Sequence, residues 1–144
     1  MKECEKIQCI VGRHPFVDVK IRNDGMVFYQ VKTPGDEKHL SDLPTRIQDL
    51  VLDWVFWNFF PAQKLYPHQN SYSLKHVLQK RTQVYLTNNQ FKEAMLINGF
   101  WPRDVKELNW YFYIQASSPA IKPQADGYAG IPIIGGSDLN RHNI

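Results

Sequence analysis

Cys4, Cys9 and His14 are spaced C-x4-C-x4-H, the nearest this sequence comes to a metal-ligand pattern. A structural zinc site needs four ligands and usually a tighter cysteine pair. The fourth ligand here would be His39 or a more distant residue. Two cytosolic thiols explain the cysteines better, and a Cys4–Cys9 disulfide would depend on geometry. Asp18-x-Lys20 has the form of half a metal-dependent nuclease core. Such a core needs a further acidic residue to hold Mg²⁺, and none stands in a suitable context. Charges alternating on the outer face of a strand account for the pair. His68 and His76 bracket Ser71 and Ser73, yet a hydrolytic triad needs a positioned Ser–His–carboxylate set, and no nucleophile-elbow sequence is present. Gly12 and Gly25 are isolated and Gly135-Gly136 comes late, so no glycine-rich phosphate loop exists. A binding protein without catalytic residues, metal or other cofactor is the expectation.

The elements that would position such residues can be read from spacing. Val17, Val19 and Ile21 alternate with Asp18, Lys20 and Arg22, which predicts strands over 16–22 and 26–32, joined by Asn23-Asp24-Gly25 as a hairpin turn. Thr33-Pro34-Gly35-Asp36 breaks the pattern as a loop. A helix over about 42–60 follows, capped by Ser41 or Asp42, with Pro44 in its first turn and Pro61 at its end. Ile47, Leu50, Val51, Trp54 and Val55 share one face of it. Ser71 or Ser73 caps a second helix to about Arg81, and Thr82–Leu86 is a link with the composition of a brief strand. Thr87-Asn88-Asn89-Gln90 has the form of a capping box, and Gly99 suits a helix end. A third helix is thus expected over 88–98. Asn109–Gln115 alternates as a strand, with Trp110, Phe112 and Ile114 on one side and Tyr111 and Tyr113 on the other. After Ala116, prolines and glycines dominate, and 117–144 reads as an extended or disordered tail in which Ile131-Pro132-Ile133-Ile134 could dock.

The fold class expected is therefore α+β: an N-terminal β-hairpin, three helices and a C-terminal strand in winged-helix order. One domain spans 1–116, with a helix-turn-helix-like part over 71–115. The composition suits this. Of the 144 residues, 43% are hydrophobic and 13% aromatic, enough for a packed core, and the net charge of +3 permits a nucleic-acid partner without demanding one. Met1–Gln8 is charged and polar, unlike a secretory signal, and Leu50–Phe60 is too short to span a bilayer. A cytoplasmic protein of a bacterial host cell is expected.

The stretch Tyr72-Ser73-Leu74-Lys75-His76, then Val84 through Met95 with Thr87-Asn88-Asn89-Gln90-Phe91, then Gly99-Phe100 and Asn109-Trp110, resembles small uncharacterised proteins of phages and mobile elements of Gram-positive bacteria. More loosely it is similar to winged-helix segments of phage and plasmid replication proteins. The resemblance covers about 70–115, leaving out the hairpin and the tail. It implies DNA transactions, or interference with host defence of the anti-CRISPR kind. Two functions follow as expectations. In the first, the chain is a DNA-binding accessory or regulatory protein, with Lys75, Lys80, Arg81, Asn89, Lys92 and Arg103 making phosphate and base contacts. In the second, it inhibits a host nuclease or defence protein through Trp57, Phe60, Tyr111 and Tyr113.

Overall fold

A hairpin turn of this length needs one residue at positive φ, and Gly25 supplies it at +91°. In the computed structural model, which describes residues 16–122, β1 (Val17–Ile21) and β2 (Val27–Val31) pair antiparallel with Val19 opposite Tyr29. The Asp24 carboxylate steadies the turn by accepting from the Met26 amide at 3.1 Å and pairing with Arg22. The expected alternation holds at the core end, where Val17 is buried, and fades towards the turn, where Ile21 is exposed.

The expected first helix is divided in two. Leu40–Asp42 forms a 3-10 turn, and α1 (Thr45–Asn58) starts only after Pro44. The residue before a proline is pushed out of the helical region, and Leu43 is extended at φ −83°, ψ 157°. Gln48 spans the break, its Nε2 donating to the carbonyls of Leu43 at 2.7 Å and Ser41 at 3.3 Å. α2 (Ser71–Thr82) is capped by Asn70 rather than by Ser71 or Ser73: Asn70 Oδ1 accepts from the amides of Tyr72 and Ser73. The buried Ser71 hydroxyl instead accepts from the Trp110 amide at 3.0 Å. α3 (Asn88–Ile97) carries the expected capping box, Thr87 with Gln90, and Gly99 follows at φ +91°.

The C-terminal strand is not formed. Residues 109–115 are extended and held from two sides, with isolated bridges from Pro61 to Ile114 and from Pro102 to Phe112. Both bridging neighbours are prolines, which lack the N–H a continuous ladder needs. Single bonds stand in for the ladder, among them Ala62 N to Tyr113 O and Ser71 N to Trp110 O. The side-chain alternation survives: Trp110, Phe112 and Ile114 are buried while Tyr113 is exposed. The link expected over 82–86 forms no strand either: Thr82 closes α2, Gln83 is left-handed at φ +65°, and 84–86 pair with no strand.

The body also reaches further than 116. Ser118 and Ala120 are buried, the Phe60 amide donates to Ser118 Oγ, the Ala120 amide donates to Asn58 O, and Arg81 donates to the Pro119 carbonyl. Ile131–Ile134 lies outside the described residues. The result is an α+β fold with a two-stranded hairpin and three helices around α3, which touches β2, the 3-10 turn, α1 and α2. Trp54, Phe59, Phe91, Trp110 and Phe112 fill the space between them. Among the described residues no helix is long and apolar enough to cross a membrane.

Candidate functional site

α3 is short, and among the polar residues of its first two turns are Asn89, Lys92 and Glu93, side chains that a surface helix would show to water. All three are buried instead, Asn89 at 0% and Lys92 at 1% exposure. The reason is the loop of residues 32–39. It leaves β2, passes over the start of α3 and returns at Leu40, and beyond the Lys32 amide's bond to Phe16 O and a bridge between Thr33 and Asp36 its backbone has no sheet partner. Buried backbone groups need partners, and α3 side chains supply them. Glu93 accepts from the amides of Val31 at 2.8 Å and Leu40 at 2.7 Å. His39 Nδ1 lies 2.7 Å from the same carboxylate. Asn89 Nδ2 donates to the carbonyls of Val31 and Lys38, and Asn89 Oδ1 accepts from the Thr33 hydroxyl. Asp36 accepts from the Asn89 amide, and Gln90 Nε2 donates to the His39 carbonyl.

Between this loop and Phe16 lies a groove of about 480 Å³, lined by Phe16, Val31, Thr33, Pro34, Asp36 and His39 among others. That size is typical of a ligand site, with apolar walls and a few polar groups. Burial pushes the Glu93 carboxyl up to about 7, and the donors from His39, Leu40 and Val31 pull against it. With Nδ1 engaged by Glu93, the other ring nitrogen of His39 is the one left to meet a ligand. Among the described residues no cluster of three or more His, Cys, Asp or Glu can hold a metal ion. Cys4, Cys9 and His14 lie outside the described residues.

The residues expected to contact DNA are scattered by the fold. Lys92 packs its ammonium over the Trp110 ring, 4.7 Å from the centroid, and burial pushes it down to about 8, opposed by Asp36. Lys75 is buried between the rings of Tyr72 and Tyr85 and bonds Gln79; burial lowers its pKa, again opposed by Asp36. Arg81 is half-buried on Pro119, and burial lowers its pKa too. Lys80 and Arg103 are exposed, the latter paired with Glu107 at 2.7 Å and stacked on Tyr111. The expected outward face of α3 is therefore an inward one, and Asn89, Lys92 and Lys75 are not placed to reach phosphates or bases.

The aromatic residues fare differently. Phe60 and Tyr113 are each 39% exposed. The bridge from Pro61 to Ile114, with Gln115 N bonding Phe60 O and Ala62 N bonding Tyr113 O, puts both side chains on the outward face of this pair of segments. Phe56, more exposed still, adjoins the end of α1 with its ring against Trp57. Tyr111 is half-buried under Arg103 and points away from Trp110 as expected.

No family model matches this chain, and no curated protein and no solved structure is significantly similar to it.

The smaller chemical candidates resolve into structural roles. Asp18 pairs with Lys32 at 3.2 Å. His76 packs edge-on against Tyr72 and His68 against Tyr66, and Ser71 serves Trp110, so no triad is assembled from them. Sequence reasoning missed the Glu93–His39 pair. The signal present was that Phe91, Ala94, Met95 and Leu96 spread over more than half of the circumference of α3, a wider apolar arc than one packed face needs. Nothing local names His39, 54 residues away, as the partner.

Proposed function

We propose that this chain acts by binding another protein, as an inhibitor of a host nuclease or defence complex of the kind the phage resemblance implies. The observation that carries the reading is the pair of segments after α1, where Phe60 and Tyr113 share an outward face on bridged backbone, with Phe56 exposed on the last turns of the helix. Large aromatics on a rigid frame are the residues that dominate protein interfaces, because they bury much area with little loss of side-chain freedom. Use of α3 as the recognition helix of a winged helix would need Asn89 and Lys92 on the surface, and they lie inside.

The test is a paired measurement. Wild-type chain and a Phe60→Ala/Tyr113→Ala variant are used to capture partners from host lysate and are titrated against any nuclease or defence-complex subunit recovered. The variant is expected to bind at least about tenfold more weakly, with its fold intact by circular dichroism. In parallel, duplex and single-stranded DNA are offered at low salt. Retention of DNA that Lys80→Glu and Arg103→Glu abolish would make the chain a nucleic-acid binder and overturn the proposal.

A further inference from the structure

The hairpin of β1 and β2 has one sheltered edge and one open edge. Bonded and non-bonded pairs alternate along an antiparallel register. The Lys32 amide donates to Phe16 O and the Arg22 amide to Met26 O, so between them Asp18 with Gln30 and Lys20 with Phe28 are the bonded pairs. Val17, Val19 and Ile21 therefore turn their N–H and C=O groups away from β2, and Val31 turns its own away from β1. On the β2 side α3 closes the edge: Glu93 accepts from the Val31 amide, and Asn89 Nδ2 donates to the Val31 carbonyl. On the β1 side no described residue bonds the backbone of Val17, Val19 or Ile21. An open strand edge is a template for another strand, and folded proteins blunt it with a proline, a bulge or a charge. β1 reads Val-Asp-Val-Lys-Ile, with no proline and no bulge, and its exposure rises until Ile21 is 62% exposed. Its one guard is a charge, Lys20.

We infer that β1 is a self-pairing edge: a second copy of this chain joins it antiparallel about Val19, and the two hairpins become one four-stranded sheet.

The strand's own order of residues selects this partner. In a pairing centred on Val19, Val17 lies opposite the second copy's Ile21, and Asp18 lies opposite the second copy's Lys20. The outward backbone groups of Val17, Val19 and Ile21 supply the bonded pairs. The opposite charges fall on the non-bonded pairs, where facing side chains come closest. Two-fold symmetry makes each of these contacts twice. The same backbone groups would also bond in registers centred on Asp18 or on Lys20. Each of those sets like charges face to face, which is destabilising. Lys20 thus guards the edge against other registers and admits the one in which it meets Asp18. No described residue forms an ion pair with Lys20. Asp18 pairs with Lys32 at 3.2 Å, but both side chains are about half exposed, and such a surface pair weighs little. Pairing also covers the exposed Ile21 and gives the hairpin the further strands that an isolated pair lacks. This edge shares no residue with Phe60 and Tyr113, so the failure of either surface leaves the other standing.

Sedimentation equilibrium on the full chain tests this. A reversible monomer–dimer equilibrium is expected between about 10 µM and about 1 mM, since one short strand pair gives modest affinity. Asp18→Lys and Lys20→Asp each turn both attractive charge pairs into repulsive ones and should weaken self-association at least about tenfold. Mixed in equal amounts, the two variants should form a heterodimer, because one then presents only lysines and the other only aspartates at the facing positions. Hydrogen exchange on the wild type keeps the test decisive if a variant fails to fold. The Val19 amide, bonded to no described residue in the monomer, should exchange more slowly as concentration rises. A wild-type chain that stays monomeric throughout, a Val19 amide indifferent to concentration, a dimer unaffected by either single substitution, or folded variants that do not associate on mixing would each overturn the proposal.

Discussion

Lys92 shows what a single buried charge costs. Its ammonium sits at 1% exposure above an indole face, and no hydrogen bond to a described residue reaches it. A cation–π contact returns on the order of 1–2 kcal/mol when desolvated, less than the several kcal/mol that removing an ion from water takes. Lys92→Met keeps the length and the contact with Trp110 while discarding the charge. It is expected to raise stability at pH 7 by about 1–2 kcal/mol, measured by urea denaturation. The pH dependence has a definite sign. The folded amine is held down to about 8, below its unfolded value of 10.5. The folded state therefore binds fewer protons across that window, and wild-type stability should climb as pH rises from 8 to 10.5. The Met variant should lack that climb.

At the level of elements, the two polar caps differ in how they were readable. Thr87 with Gln90 stands at fixed spacing before an apolar run, a local pattern that the helix could not easily disguise. Asn70 competes with Ser71 and Ser73, all plausible caps by type, and the choice fell to Asn70 because Trp110 claims the Ser71 hydroxyl. Thr87→Ala and Asn70→Ala should each cost about 1 kcal/mol in chemical denaturation, whereas Ser73→Ala should cost little. The same contrast runs through the fold. The hairpin, the extent of α3 and the alternation of Trp110, Phe112 and Ile114 depend on neighbours in sequence, and they could be read there. The split at Pro44 is local as well, since a proline bars the residue before it from the helical region, and Leu43 is extended. The missing ladder along 109–115 and the inward turn of Asn89 and Glu93 depend on segments far along the chain, so no local window contained them. Of the candidate site, the outward Tyr113 was legible from its alternation with Phe112 and Ile114, whereas Phe60, expected at the end of a longer first helix, faces outward on extended chain beyond Asn58. The Glu93–His39 pair was not legible, since a Glu and a Lys on a short helix read by default as solvated.

For the molecule as a whole, the segment at 118–122 acts as a strap across the ends of α1 and α2 through Ser118, Pro119 and Ala120. Ser118→Ala strips the Phe60 amide of its acceptor in a buried setting and should lower the denaturation midpoint by an amount equivalent to about 1–2 kcal/mol. It should also weaken the proposed partner contact, because Phe60 is held from that amide. A second consequence concerns the order of events in the cell. The Val31 amide waits for a carboxylate 62 residues further along the chain. A nascent chain halted before Glu93 clears the ribosome has its hairpin and first helices but nothing to bind the 32–39 backbone or to fill the space between α1 and α2. Contacts that span so much sequence form slowly, so this protein should gain its native resistance to protease abruptly and late in translation, once α3 has emerged.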